Sequence, residues 1–189
     1  MTDILAKEKI EAYVEELLNG KGYFILPQLF SDEEIKVARD LIHLYSNVET
    51  NNATHFQGKN EDKIQLQRRV WNLLNKGDIF VKMVQHPILM QIGRASLGDE
   101  FCLGSIAVNR LLPGGPGQEA HIDYPYWDMY KVNSFPINVT PAFPMNLQVT
   151  VMLDDFTVEN GATVVWPGSQ KECRYPTEED TKKNHRKEC

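Results

Sequence analysis

Cysteine is scarce in this chain. Cys102, Cys173 and Cys189 are its complement in 189 residues. That is an odd number with no Cys-x-x-Cys spacing, which argues against a disulfide framework and for a reducing compartment. Cys102 reads as a small buried apolar side chain, and the other two read as exposed thiols. Long apolar runs are absent as well. No stretch approaches the roughly 20 residues needed to cross a bilayer, and Met1 to Lys9 lacks the charged-then-apolar layout of a secretory signal. The chain is expected to stay in the cytosol, with no membrane partner. A basic face is the third absence. With 20 basic and 26 acidic residues interspersed, the formal charge is −6, and nothing is arranged to release counterions from nucleic acid phosphates. No internal repeat is visible. The glycine cluster Gly114-Gly115-Pro116-Gly117 is followed by no helix, so it reads as a turn and not a phosphate cradle.

What is present falls into two parts. Over residues 1–98 the pattern is mostly helical. Ile10, Tyr13, Val14, Leu17 and Leu18 recur at helical spacing and Asn19-Gly20 supplies a stop. Ser31-Asp32-Glu33-Glu34 is a capping box, and Ile35, Ala38, Leu41, Ile42 and Tyr45 follow it on one stripe. Helical character is expected again over 65–75 and from Pro87 to Leu97, the latter with proline at its start and Gly98 just past its end. Gly22 to Pro27 reads as a short strand. Residues 46–61 read as an exposed loop.

From residue 99 to 170 the pattern changes to strands. Phe101 to Leu112, Gln118 to Ile122, Leu147 to Leu153 and Ala162 to Trp166 are strand-like runs separated by proline and glycine. The fold expected is α+β and mainly β, with helices first and an antiparallel sheet after, in one domain over 1–170. Residues 171–189 form a polar tail with no alternating apolar pattern from which to build another strand. Its Lys182, Lys183, Arg186 and Lys187 are balanced by Glu178, Glu179 and Asp180, as on a solvated face.

The chemistry-bearing triplet is His121-Ile122-Asp123. In extended backbone, side chains two apart project to one side, so an imidazole nitrogen and a carboxylate oxygen can meet at one point. Mixed nitrogen and oxygen donors suit non-haem Fe(II). By itself the triplet recurs by chance, and its plain alternative is a hydrogen-bonded surface pair. Gln148 and Thr150 alternate onto one face of their strand. Tyr124, Tyr126, Trp127 and Tyr130 form an aromatic cluster suited to packing or to a substrate wall. A zinc site from Cys173, His185 and Cys189 would be one ligand short.

Taken in order, Gly22 to Leu26 with its capped helix, Asn109 on its strand, the Gly-Pro turn, His121-Ile122-Asp123, the strand over 146–153, Glu159-Asn160-Gly161 and Trp166-Pro167-Gly168-Ser169 resemble the phytanoyl-CoA dioxygenase family. The likeness runs from about Gly20 to Gln170. It implies a double-stranded β-helix, the cupin-like jelly roll, behind N-terminal helices. It also implies an enzyme that uses Fe(II), 2-oxoglutarate and O2 to hydroxylate a small organic or acyl substrate. On that resemblance His121 and Asp123 are iron ligands, and Asn109, Gln148 and Thr150 serve the cosubstrate. Asp123 favours hydroxylation over halogenation, for which related enzymes carry a small residue at that place. The family's later histidine ligand and 2-oxoglutarate-pairing arginine have no counterpart strand here. His185 lies in a stretch without β pattern, and Gln170 stands where the family usually has histidine. The resemblance therefore implies that the closing C-terminal strands are missing, and that this chain alone turns over poorly. The alternatives are a non-catalytic binding protein on the same frame, and a metal-dependent isomerase that consumes no O2.

Overall fold

The computed structural model describes residues 4–48, 66–123, 143–182 and 187–188. Four helices lead. α1 (Lys7–Leu18) buries Ile10 and packs on α4 (Pro87–Leu97). A reciprocal pair holds them together, in which the Leu5 N–H donates to Gln91 Oε1 at 3.0 Å and Gln91 Nε2 returns to the Leu5 carbonyl at 3.4 Å. α2 (Asp32–Val48) starts at the expected capping box, with the Glu34 carboxylate accepting from the Ser31 N–H at 2.9 Å and the Glu34 N–H donating to Ser31 Oγ at 3.3 Å. Ala38, Ile42 and Ser46 lie four apart along it and are buried, as one helical stripe requires. α3 (Asp78–Val84) contributes Ile79, Phe80 and Met83 to the same core. α4 has the predicted boundaries, with Pro87 in its first turn and the Gly98 N–H closing onto the Arg94 carbonyl at 2.9 Å.

The helix expected over 65–75 is instead a strand followed by one 3-10 turn, Leu73–Asn75. The strand, β1 (Gln67–Val70), pairs antiparallel with β2 (Val108–Leu111), Gln67 opposite Leu111 and Val70 opposite Val108. Helical spacing of Leu66, Val70 and Leu73 is overridden by a partner about 40 residues away, because ladder bonds and burial outweigh weak local propensity. The ribbon packs one face on α2, and the core closes around Val70 and Leu73.

Among the described residues the sheet predicted after residue 99 is smaller than expected. The run from Phe101 narrows to β2. No ladder pairing is assigned over 118–122 or 147–153. β3 is Val164–Val165 alone, and it pairs with β4 (Lys187–Glu188). The tail therefore does supply a short strand, since a two-residue bridge uses backbone groups and needs no apolar alternation. Gly22 to Pro27 is also not a strand. Phe24 leaves it to stack on Tyr13 with centroids 4.2 Å apart, and Gln28 turns the chain at positive φ.

The Trp166-Pro167-Gly168-Ser169-Gln170 turn docks on the end of α1. The Gly168 N–H donates to the Lys21 carbonyl at 2.8 Å, and Gln170 Nε2 caps the carbonyls of Leu17 and Gly20 at 3.3 and 3.2 Å. At Gly22 a side chain would be strained by the φ of +86°, and its Cβ, 2.4 Å from Gln170 Oε1, would displace the Gln170 amide from its cap. The glutamine that departs from the family pattern thus serves as a helix C-cap. Cys102 is exposed and not buried as expected. Its neighbour Phe101 takes the inward position, pressed against Gly93 of α4. Cys173 is half-buried, while Cys189, His185, Tyr124, Tyr126, Trp127 and Tyr130 lie outside the described residues.

Candidate metal and cosubstrate site

Strand alternation gives the β1–β2 ribbon two unlike faces. Val70 and Val108 join the core under α2, and Arg68 and Arg110 lie on that side. Gln67, Arg69, Trp71, Asn109 and Leu111 line a wide basin on the other. Arg69 and Asn109 are register partners, so their side chains rise from one point of the sheet. The basin is open, about 3660 Å3, against roughly 300–1,000 Å3 for a closed small-molecule pocket.

The ribbon delivers the triplet to this basin. The Leu112 N–H donates to the Leu66 carbonyl at 2.8 Å, extending the pairing, and the Gly115 N–H closes the following turn onto Leu112 at 2.9 Å. Gly114 takes the φ of +78° that the turn requires. Gln67 Nε2 donates to the Pro116 carbonyl at 2.6 Å. From there the chain runs to His121 and Asp123, whose Nε2 and Oδ1 atoms stand 3.6 Å apart. Their side chains are 28% and 33% exposed, within reach of small solutes.

The tautomer of the neutral His121 ring follows from its other nitrogen. Nδ1 lies 2.6 Å from the Glu119 carbonyl, which can only accept, so Nδ1 carries the hydrogen in the neutral ring. Nε2 then presents a lone pair towards the Asp123 carboxylate. Two electron-pair donors facing each other are reconciled by a cation or a water between them. At 3.6 Å the gap exceeds an ordinary hydrogen bond, whereas metal–donor bonds of about 2.1 Å let two ligands of one ion stand up to about 4.2 Å apart. The pair therefore fits a divalent ion, with the Glu119 carbonyl fixing the tautomer as an outer-sphere partner. Among the described residues no set of three histidine, cysteine, aspartate or glutamate side chains assembles for a metal.

Arg69 is the basin residue that sequence reasoning missed. Burial pushes its guanidinium below the usual arginine range, and the Asp123 carboxylate pushes back. It stays charged. Its Nε is buried without a hydrogen-bond partner, so a cation waits beside the acid. Alternation from Val70 would have placed Arg69 on the face opposite the core, but only once β1 was read as a strand. Asn109, Gln148 and Thr150 are exposed, and the hollow they border is so broad that it does not by itself bring them to His121 and Asp123. Asn109 is the one among them that the sheet register ties to Arg69.

Helices lead, a short antiparallel ribbon follows, and a histidine–aspartate pair stands beyond it on an open basin. The chain belongs to the phytanoyl-CoA dioxygenase family, whose model (Phytanoyl-CoA dioxygenase, PhyH) matches residues 18–188. It is 35% identical over 94 residues to "Dioxygenase trt7" of Aspergillus terreus, covering 50% of this chain and 31% of that protein. It is 28% identical over 156 residues to a "Probable alpha-ketoglutarate-dependent hypophosphite dioxygenase" of Stutzerimonas stutzeri, covering 80% of this chain and 50% of that one. The chain thus spans half or less of the length of these relatives. No solved structure matches it significantly. No helix among the described residues is long and apolar enough to cross a membrane.

Proposed function

We propose that the chain carries the first part of a non-haem Fe(II)/2-oxoglutarate dioxygenase site on a jelly-roll frame, acting on a small organic or acyl substrate. The single observation that carries this is the His121 Nε2 and Asp123 Oδ1 pair at 3.6 Å with the imidazole tautomer fixed by Glu119. Family membership and the 2-oxoglutarate dependence in one relative's name support the same reading. Iron held there would supply activation of O2, with 2-oxoglutarate giving up two electrons as it loses CO2 and becomes succinate, and the second oxygen atom entering a substrate C–H bond.

The rest falls to the chain's own residues. His121 and Asp123 hold the ion. Arg69, charged and short of an acceptor, attracts the dicarboxylate into the basin, and Asn109 beside it supplies a carboxamide to orient it. Gln148 and Thr150 offer further polar contacts along the same wall. Trp71, Met145 and Val149, all basin-lining and partly exposed, give apolar substrate carbon a surface. Cytosolic residence accords with the unpaired Cys102 and Cys173.

A second reading rests on the donor count. Among the described residues two side chains are offered to the ion, and two ligands hold iron less firmly than three, so slow turnover is expected and a non-catalytic binding role on the same frame is the alternative. Anaerobic titration with Fe(II) and 2-oxoglutarate separates the two. The enzyme reading expects a visible metal-to-ligand charge-transfer band that His121→Ala and Asp123→Ala each abolish. No band in the wild-type chain, or a band untouched by both variants, removes the proposed site.

A further inference from the structure

The face of the ribbon turned towards α2 holds a second group of charges. Arg68 and Arg110 are direct register partners, an arrangement that sets like charges opposite one another and is ordinarily destabilising. Both guanidiniums converge on the last turn of α2. Arg68 Nη1 donates to the Ser46 carbonyl at 3.2 Å and to Asn47 Oδ1 at 2.9 Å. Arg110 Nη1 donates to Ser46 Oγ at 2.8 Å and to the same Asn47 Oδ1 at 3.3 Å. Two full positive charges thus share one neutral carboxamide oxygen.

Among the described residues neither arginine has a carboxylate within ion-pair distance. Two of the other described arginines do. Arg39 stands 3.2 Å from Asp154, and Arg174 pairs with both Glu172 and Asp180. In a chain of net charge −6, two adjacent arginines without an acid are not what composition would supply. The carbonyl end of α2 offsets only about half an elementary charge, which leaves the pair strongly positive. Each guanidinium engages one Nη1, and its remaining N–H donors have no partner among the described residues. Both side chains are half-buried while Asn47 is exposed, so an incoming ion meets a partly desolvated fork that solvent can still reach. Paired arginine forks of this kind match tetrahedral oxyanions in geometry and charge.

We propose that Arg68 and Arg110, seated on Ser46 and Asn47, form an anion site for a phosphate group, either the free ion or a small phosphate monoester. The site is distinct from the basin, since Arg69 and Asn109 project from the opposite face of the ribbon.

Calorimetric titration and thermal unfolding with inorganic phosphate and with glycerol 3-phosphate test it, at fixed ionic strength balanced with chloride to exclude general screening. The wild-type chain is expected to bind saturably and to melt higher with ligand present. A response to the ester alone assigns the esterified source, and a response to the free ion assigns phosphate itself. Arg68→Gln and Arg110→Gln each lower affinity at least tenfold, while Arg69→Gln leaves it intact. Asn47→Asp places a carboxylate between the two cations. It is expected to raise the melting temperature without ligand and to abolish the phosphate response, which keeps the test decisive if an arginine variant folds poorly. Absence of a saturable response to both probes overturns the proposal. So does a response lost in Arg69→Gln and kept in the other two, which would put the anion in the basin.

Discussion

On one side of the β1–β2 ribbon, Val70 and Leu73 are sealed at 0% and 1% exposure. Across the basin Trp71, Met145 and Val149 stand 39%, 53% and 46% open. All the buried apolar residues lie between Ile10 and Ile92 among the described residues, and none follows residue 99. The part that holds the candidate site is therefore not the part with the deeply buried core. A packed half, with α2, α3 and β1 interlocked, acts as the platform. The basin half is joined to it by the ribbon, by Ile106, Val151 and Leu153 packed against the core, by the Gln170 cap on α1, and by Arg39. Ligand-binding elements are commonly drawn from the less stable end of a structure, and here the boundary runs through a single strand, between Arg69 and Val70.

The largest test of that contrast is a pair of truncations. Phe80 is 2% exposed in the core, and Phe80→Ala should cost about 3–5 kcal/mol, the sum of lost transfer energy and a residual cavity. Met145→Ala on the basin wall should cost less than about 0.5 kcal/mol, as exposed substitutions do. Urea unfolding of both variants measures the difference. Equal costs would mean that the basin wall is covered in solution, and the contrast would be lost.

Arg39 sharpens the comparison because it spans both halves. From α2, its Nε donates to the Leu153 carbonyl at 3.0 Å and lies 3.2 Å from Asp154. The carbonyl bond is the larger contribution, since the ion pair is solvent-exposed and screened. Arg39→Ala should cost about 1–1.5 kcal/mol. Its signature is local, with faster proteolytic cleavage over 147–153 and unchanged amide hydrogen exchange in α2. Faster exchange in α2 as well would show that the halves open together. Within the packed half, Ser31→Ala removes one side of the capping box and should cost about 1 kcal/mol, read by the same denaturation, without altering the Fe(II) titration.

The same boundary separates what could be read from sequence from what could not. α2 and α4 were legible to the residue at their starts because capping boxes, proline and glycine act within a few positions. His121 and Asp123 were legible as a pair because two-residue spacing in extended chain needs no partner. β1 was not, since its register is set by β2 some 40 residues on, and with it went Arg69, whose face is defined only by that pairing. Cys102 was misjudged for a related reason: apolar character says that one of two neighbours turns inward, and Gly93 of α4 decides that it is Phe101. The role of Gln170 depends on the end of α1, some 150 residues earlier. Local signals named the elements; distant contacts decided which faces they show.

The smallest effect is expected in the tail unit of the basin half, where polar residues build order without a core. Asp180 accepts from Arg174 through both carboxylate oxygens, at 2.7 and 2.9 Å, and from the Thr177 N–H and hydroxyl at 2.7 and 2.8 Å. Its own carbonyl accepts from Trp166 Nε1 at 2.9 Å. The Arg174 hydrogen bonds first, and then those of Thr177, hold the Asp180 carboxyl far below the usual carboxylate range. A folded-state value below the unfolded one means that the contribution is complete above about pH 4 and is lost as pH falls further. The wild-type chain should therefore melt slightly above Asp180→Asn from pH 7 to 5, and the difference should shrink steadily below pH 4. A difference that persists unchanged in acid would assign the effect to the shape of the α5 cap (Glu178–Lys182) and not to charge. The tail would then be ordered by neutral hydrogen bonding, unlike the start of α2, where the Glu34 carboxylate accepts from Ser31.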